Sequence, residues 1–218
     1  MSIIKAQNVS KEYGSGESKV AALKDIFLEI KQGEFIAIVG RSGSGKSTLL
    51  NVLSGLDTVT NGKIEIDHQD ISDLSTNDIT LLRRNKIGFI FQSYNLIPVL
   101  NVRENIELPQ ISENSAYVNE LMELLEISER QNHMPSQLSG GQQQRCAIAR
   151  ALVNKPNIVF ADEPTGNLDS KSEANVIAIF RKLIKNFNTT ILLITHNMNL
   201  ISHADRVIKL FDGEIIDE

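Results

Sequence analysis

Residues 40–48 read Gly40-Arg41-Ser42-Gly43-Ser44-Gly45-Lys46-Ser47-Thr48, and their chemistry is anion binding. The pattern G-x-x-x-x-G-K-[ST] is met without a gap and is that of a phosphate loop. Gly43 and Gly45 let the backbone turn sharply and approach an anion closely. Lys46 supplies a point charge for the β- and γ-phosphates of a nucleoside triphosphate, and the Ser47 hydroxyl is placed for Mg²⁺. Gly40, Ser42, Gly43, Ser44, Gly45 and Thr48 complete the candidate nucleotide contact. The flanks agree with this assignment. Phe35-Ile36-Ala37-Ile38-Val39 precedes the loop as a short apolar strand, and Ser47-Thr48-Leu49-Leu50-Asn51-Val52-Leu53 follows as the opening of a helix. Strand, glycine loop and helix together surround a polyphosphate with backbone N–H groups and a helix N-terminus.

A second group lies about ninety residues further on: Leu138-Ser139-Gly140-Gly141-Gln142-Gln143-Gln144-Arg145, opening an apolar helical run from residue 146 to 153. Ser139 and two glycines at a helix start form another anion-binding end. The first five of these residues, with Ser139, Gly140, Gly141 and Gln142 as candidate nucleotide contacts, resemble the LSGGQ signature of ABC-type ATPases at every position. A third group follows. Ile158-Val159-Phe160-Ala161 is a buried-strand run ending in the adjacent carboxylates Asp162 and Glu163. Such a strand aims both at the C-terminal edge of a parallel sheet, where folds of this kind bind ligands. Asp162 is a candidate Mg²⁺ holder, as in the Walker B strand of phosphate-loop enzymes. Glu163 is then the candidate general base for an attacking water.

The resemblance assigns further residues. Gln92, after Ile87-Gly88-Phe89-Ile90-Phe91, is similar to the Q-loop glutamine, a Mg²⁺ and water contact. Asn167-Leu168-Asp169 resembles the D-loop, with Asp169 at the nucleotide interface. His196, after Ile191-Leu192-Leu193-Ile194-Thr195, resembles the switch histidine at the γ-phosphate. Tyr13 stands where the family places a ring that stacks on adenine. Three stretches narrow the group: Phe91-Gln92-Ser93-Tyr94-Asn95-Leu96-Ile97-Pro98, residues 161–170, and Ala204-Asp205-Arg206-Val207-Ile208. They resemble the MacB/LolD/FtsE-like ABC transporter ATP-binding subunits, whose members serve macrolide and peptide export, lipoprotein release, bacteriocin resistance or cell-division signalling. Arg41, where many members carry proline, and a short segment over 108–118 depart from that pattern. Neither touches the chemistry, but the short segment bears on a permease contact.

The elements that must position these residues form three blocks. Residues 1–34 read as antiparallel strands, with Ile26, Leu28 and Ile30 alternating before a turn at Lys31-Gln32-Gly33. Residues 35–91 begin a nucleotide core. Residues 92–150 read as mostly helical, with Val118, Leu121, Met122 and Leu125 at helical spacing. From 155 to 218 strands and helices alternate, with Ile177, Phe180, Ile184 and Phe187 marking one amphipathic helix. Alternation of this kind argues for a parallel sheet. The expected fold is therefore α/β, a P-loop NTPase of the ABC ATPase type. It has a parallel core sheet, an N-terminal antiparallel β subdomain and an inserted helical subdomain. The expected division of this single nucleotide-binding domain is 1–91 with 151–218 for the RecA-like core and its β subdomain, and 92–150 for the helical part carrying the signature.

Composition bounds the rest. The 218 residues, 41 % hydrophobic, suffice for one well-buried domain. No apolar stretch approaches the roughly 18–20 residues of a membrane helix. Met1-Ser2-Ile3-Ile4-Lys5 runs directly into a strand-like segment, so no signal peptide is expected. The single cysteine, Cys146, excludes an internal disulfide framework and a zinc cluster, and is expected to pack as a small apolar residue. A net charge of −5 without a dense basic patch argues against a nucleic-acid partner. Arg83-Arg84-Asn85-Lys86 reads as a solvated helix end.

The resemblance implies an ATPase using ATP and Mg²⁺. Two copies meet head to tail, so that Ser139 and Gly141 of one reach the nucleotide held by Lys46 of the other. It also implies a separate integral-membrane permease of the MacB/FtsX type. That partner would hold a cytoplasmic subunit at the inner face of the membrane to drive export of a drug, antimicrobial peptide or lipoprotein. The apolar loop with Tyr94, Leu96, Ile97, Val99 and Leu100 is the expected permease contact. The competing class is a soluble ABC ATPase of DNA repair, translation or FtsE-like cell-division signalling. One phosphate loop, one signature and no coiled-coil insertion argue against the translation and chromosome-maintenance members. A non-hydrolysing module is disfavoured by Glu163 and His196. The cargo itself leaves no trace in these residues.

Overall fold

Apolar runs with no polar alternation mark strands covered on both faces, and four of them, with a fifth strand of mixed residues, form the centre of the computed structural model, which describes residues 1–166, 168 and 170–217, apart from the side chains of Glu17 and Lys171. These are β3 (Phe35–Val39), β6 (Ile87–Ile90), β7 (Ile158–Asp162), β8 (Thr190–Ile194) and β9 (Arg206–Phe211). With β10 (Glu214–Asp217) they form a six-stranded sheet in the order β10-β9-β3-β8-β7-β6. The first five named are parallel, and β10 closes one edge antiparallel to β9.

Within each run, successive side chains serve different cores, as the two-residue period of a strand requires. Phe35, Ala37, Val159, Ala161, Ile191 and Leu193 face one cluster. Ile36, Ile38, Ile158, Phe160, Leu192 and Ile194 face the other. The first cluster is roofed by α3 (Val102–Glu107), α4 (Ser115–Leu124), α5 (Gly140–Leu152) and α6 (Ser170–Phe187). The expected helical residues Val118, Leu121, Met122 and Leu125 are all buried in it. Of the four apolar residues that mark α6, Ile177 and Phe180 are buried, Ile184 is partly buried and Phe187 is exposed.

The second cluster lies against α1 (Lys46–Leu53) and a four-stranded antiparallel sheet in the order β2-β1-β4-β5. Its strands are β1 (Ser2–Tyr13), β2 (Val20–Lys31), β4 (Asn61–Ile66) and β5 (Gln69–Asp70). Ile4 pairs with both Ile30 and Ile66, and Ala6 with both Leu28 and Ile64, so one inner face is uniformly apolar. The antiparallel sheet therefore draws on residues 61–70 as well as on 1–34. After α1 the chain returns to pair with β1 before it re-enters the core through α2 (Thr76–Lys86). The basic residues Arg83, Arg84 and Lys86 fall in the last turn of α2, where cations suit the helix dipole.

The helical part is joined to the parallel sheet by direct backbone packing. A methyl group on Gly88 of β6 would stand 2.4 Å from the Ala151 carbonyl oxygen of α5. Gly88→Ala should push α5 off the sheet edge and cost about 1–3 kcal/mol, the range of an overpacked core. Thermal unfolding followed by circular dichroism should show a melting temperature lower by several degrees.

Candidate functional site

Four strands of the parallel sheet end at one level. Ile38 of β3 and Asp162 of β7 both pair with Ile194 of β8, and Ile90 of β6 pairs with Ala161. The residues that follow these ends are the phosphate loop, Gln92, Glu163 and His196. The sheet thus delivers four chemistry-bearing segments to its C-terminal edge, where open α/β sheets bind ligands.

The phosphate loop is wedged between neighbours that forbid side chains. A methyl group on Gly45, whose φ is +101°, would stand 2.4 Å from the Ala22 carbonyl oxygen. Gly213 N–H donates to the Ser44 carbonyl at 3.0 Å and ties the β9–β10 turn to the loop. Gly45 caps α1 without a side-chain bond, and the first turn of α1 holds no acidic residue. The N–H groups of that turn are therefore available to an anion. Lys46 Nζ lies across the loop, donating to Gly40 O at 2.9 Å and Arg41 O at 2.8 Å. Ser44 Oγ is buried without a hydrogen-bond partner. A buried hydroxyl without a partner among the described residues and an ammonium bonded to its own loop's carbonyls fit a site built for a polyphosphate.

Asp162 is half-buried at the end of β7. Burial, then the neighbouring Glu163 charge, raise its carboxyl above the usual range, while Lys46 pulls it back. Lys46 and Asp162 thus lie within electrostatic reach of each other. Among the described residues no group of three or more His, Cys, Asp or Glu could cage a metal alone. One carboxylate beside a phosphate loop is the donor set for Mg²⁺, which takes one or two carboxylates with substrate phosphates and water.

Glu163 occupies a left-handed conformation, φ +46°, which costs on the order of 1 kcal/mol. Its N–H donates to Ile194 O at 3.0 Å. Its Oε1 meets His196 Nδ1 at 2.9 Å, with the His196 ring 82 % exposed and the Glu163 side chain 18 %. Gly166 N–H donates to Glu163 O at 3.2 Å. A methyl group on Gly166 would stand 3.3 Å from Gln92 Nε2. The structure therefore brings Lys46, Asp162, Glu163, His196 and Gln92 to one edge.

Tyr13 ends β1 with its ring 42 % exposed. Its hydroxyl donates to Asp57 Oδ2 at 2.8 Å, and Lys11 Nζ sits 4.9 Å from the ring centre. Burial, then Asp57, raise its pKa, and a hydrogen bond with Thr48 opposes them. Asp57 in turn accepts from Lys11 at 2.7 Å. Burial acts to raise Asp57, but the bonds from Lys11, Tyr13 and Thr58 outweigh it and leave the carboxyl below its usual range. Lys11 and Asp57 escaped the sequence reading. No short-range pattern joins residues 46 apart in the chain.

The signature lies elsewhere. Ser139 is the N-cap of α5, accepting from Gln142 N–H at 3.4 Å, while Gln142 Oε1 accepts from Ser139 N–H at 3.0 Å. Gly140 is exposed and Gly141 packs on the start of α6, where a methyl group would stand 2.9 Å from Ser172 Oγ. None of these hydrogen bonds reaches the Lys46 cluster. Asp169 lies outside the described residues.

Comparison with known proteins agrees with this geometry. Residues 23–166 match the ABC transporter family profile. An uncharacterized ABC transporter ATP-binding protein of Methanocaldococcus jannaschii, MJ0796, is 47 % identical over 98 % of this chain and 95 % of its own length. The macrolide export ATP-binding/permease protein MacB of Neisseria meningitidis is 45 % identical over all of this chain, which spans 35 % of that longer protein. Among solved structures, a dimeric post-hydrolysis state of the cassette MJ0796 bound to ADP and Pi superposes with a TM-score of 0.90 at 44 % identity, over 98 % of this chain and 96 % of that one. The cassette cbiO1 of Clostridium perfringens, part of the ABC transporter complex cbiONQ, gives 0.88 at 29 % identity, over 99 % and 87 %.

The raised Asp162 carboxyl has a consequence for stability. The folded chain holds that proton more tightly than the unfolded chain, so stability falls as pH rises from the ordinary carboxylate range to the raised one. At neutral pH the ionised group is a net cost. Asp162→Asn should raise the melting temperature of the nucleotide-free chain at pH 7 by about 1–3 °C, screened by partial exposure. The difference should shrink as pH falls and vanish below about pH 3, where the carboxyl is protonated in both states. Scanning calorimetry at both pH values checks this.

Proposed function

Since the chain belongs to the ABC transporter family, we propose that the sheet-edge cluster hydrolyses ATP to drive export through a separate membrane permease. The chain is an ABC-type ATPase subunit of a membrane transporter. The observation that carries the finer reading is the meeting of Lys46, Asp162, Glu163, His196 and Gln92 at the ends of four strands in register.

On this reading the loop N–H groups and Lys46 bind the β- and γ-phosphates of the substrate. Lys46 exchanges the Gly40 and Arg41 carbonyls for phosphate oxygens. Ser47, Asp162 and Gln92 would hold Mg²⁺, which supplies charge neutralisation on the polyphosphate. Glu163 orients a water and takes its proton as oxygen attacks the terminal phosphorus and the bond to the ADP oxygen breaks. His196, hydrogen-bonded to Glu163, fixes that carboxylate and faces the solvent side where the γ-phosphate would lie. Tyr13, anchored by Asp57 beside Thr48, offers a ring to the base. Ser139, Gly140, Gly141 and Gln142 would serve the nucleotide of a second copy. The dimeric cassettes among the similar structures support a homodimer.

Glu163→Gln keeps the shape of the carboxylate and loses its basicity. It should bind ATP, slow hydrolysis by about 10²–10⁴-fold and accumulate as a dimer with ATP and Mg²⁺. Light scattering after gel filtration reads the mass. A persistent monomer at high protein concentration refutes the shared-site reading.

Among the described residues no helix is long and apolar enough to cross a membrane, and the reading pairs the ATP-binding part with a membrane-spanning permease. MacB, which joins ATP-binding and permease parts, supports that pairing. Beyond Gln92 an open groove of about 290 Å³ runs past Phe89, Phe91, Asn95, Leu108, Pro109 and Ala151. In the loop that follows Gln92, Ile97 and Val99 are exposed, Val99 by 77 %. Tyr94, Leu96 and Leu100 are half-buried, and Leu96 packs against the helical core. The loop therefore divides its apolar residues between the core and an outer face, and the outer pair suits the apolar side of a partner helix. Ile97→Glu with Val99→Glu should leave the subunit folded and ATP-binding but prevent co-purification with its permease. Retained co-purification removes this surface from the interface.

A further inference from the structure

Arg150 lies in the last turn of α5, the helix that begins at the signature. Its guanidinium leaves the helix and donates to two successive backbone carbonyls, Asn95 O at 2.5 Å and Tyr94 O at 2.6 Å. Both residues hold left-handed backbone conformations, with φ of +60° at Tyr94 and +49° at Asn95. That region is disfavoured for any residue with a Cβ, and more for Tyr than for Asn. Two successive left-handed residues turn their carbonyls to the same side, as in a helical turn. The planar fork of an arginine matches such a pair with two roughly parallel N–H groups, which a lysine cannot do. Tyr94 also closes the turn that carries Gln92. Its N–H donates to Phe91 O at 3.1 Å, so Gln92 and Ser93 are the two central residues. Asn95 N–H donates to Ser93 O at 2.6 Å. The close approach of Gly88 to Ala151 keeps this end of α5 against β6, the strand leading into the turn.

We propose that Arg150 is a positioning residue that makes the Gln92 turn a rigid extension of the signature helix. This rests on the reading above of Gln92 as a nucleotide-site residue and Ser139 as a contact to a second copy. A helix of thirteen residues spans about 20 Å. It therefore joins two places that no hydrogen bond between Ser139 and Gln92 connects. Movement of the Ser139 end on meeting a second copy's nucleotide pivots the helix on its contact with β6 and turns the Arg150 end with it. The fork carries Tyr94, and with it Gln92, in the same displacement. Without the fork, two strained residues relax and Gln92 loses its place, while the phosphate loop, which follows β3 and is separated from β6 by β8 and β7, is untouched.

The test uses the full chain with ATP and Mg²⁺. Arg150→Met should lower kcat about tenfold or more with KM for ATP within about twofold, the split expected when positioning rather than binding is lost. Amide exchange at Tyr94 and Asn95 should speed up about tenfold, with the amides of β7 and α1 unchanged. Arg150→Lys, which keeps the charge and loses the fork, should fall between wild type and Arg150→Met on both readouts, and it decides the matter if Arg150→Met does not fold. Wild-type kcat, or wild-type exchange at Tyr94 and Asn95, in the folded variant overturns the proposal. Gln92→Ala separates the two layers. If it keeps wild-type kcat, the role given to Gln92 fails, and exchange at Tyr94 and Asn95 still decides whether Arg150 holds the turn. If Gln92→Ala loses activity while Arg150→Met does not, only the role of Arg150 fails.

Discussion

The register of the parallel strands is the constraint on which the site depends. A shift of one residue in β7 against β8 would turn Asp162 to the opposite face and lift Glu163 away from Ile194 O and His196. What holds the register is burial on both faces. Phe35 and Ala37 belong to one core and Ile36 and Ile38 to the other, so a slip would exchange partners in two packed interiors at once. Large buried residues make this costly. Phe160 stacks on Phe89 at 5.8 Å, and Phe35 meets Phe180 edge-on at 6.0 Å. Thus the residues that fix the level of the strand ends are apolar and remote from the candidate site, whereas the residues proposed to react contribute little to holding themselves in place.

The reactive edge is instead a region of stored cost. Asp162 is ionised against burial and beside another carboxylate. Glu163 holds a left-handed backbone, and Ser44 Oγ has no partner. The first and the last of these are relieved by a bound polyphosphate with its cation. The anion offers acceptors to the loop, and the cation offsets the clustered carboxylates. Such a site gains more from its ligand than a satisfied surface would, because the free state has not already made the same bonds. Lys46 is the exception, since it spends its hydrogen bonds on loop carbonyls and must exchange them rather than make new ones.

What could be read in the sequence was what is local. The phosphate loop, the Asp162-Glu163 pair and the signature each occupy a few consecutive residues, and flanking apolar runs show which element carries them. The helix over α4 was legible because its buried residues repeat at helical spacing. Other features have no local pattern. The return of β4 to pair with β1 depends on a match between Ile64, Ile66 and an edge 60 residues earlier. The link from Tyr13 through Asp57 to Lys11 crosses that same sheet. In the loop after Gln92, hydrophobicity alone marked five residues alike. A segment with neither helical nor strand period gives no rule for which side chains turn inward, and only the structure separates Ile97 and Val99 from Tyr94, Leu96 and Leu100.

The two halves of the machinery differ in how they are completed. The Lys46 edge is strained and under-partnered, but the signature end of α5 is at rest. Ser139 and Gln142 satisfy each other in a capping box, and Gly140 is open to solvent. A helix end that needs no ligand for its own stability can gain and lose one without unfolding its first turn. That suits a contact made and broken in every cycle. The asymmetry also bears on order of assembly. Nucleotide would bind first where the free protein is costly. The self-capped end would follow, adding only the N–H groups its own cap leaves over. On this reading the second copy is recruited by the bound nucleotide rather than by the protein surface, and separation follows once the terminal phosphate is cut.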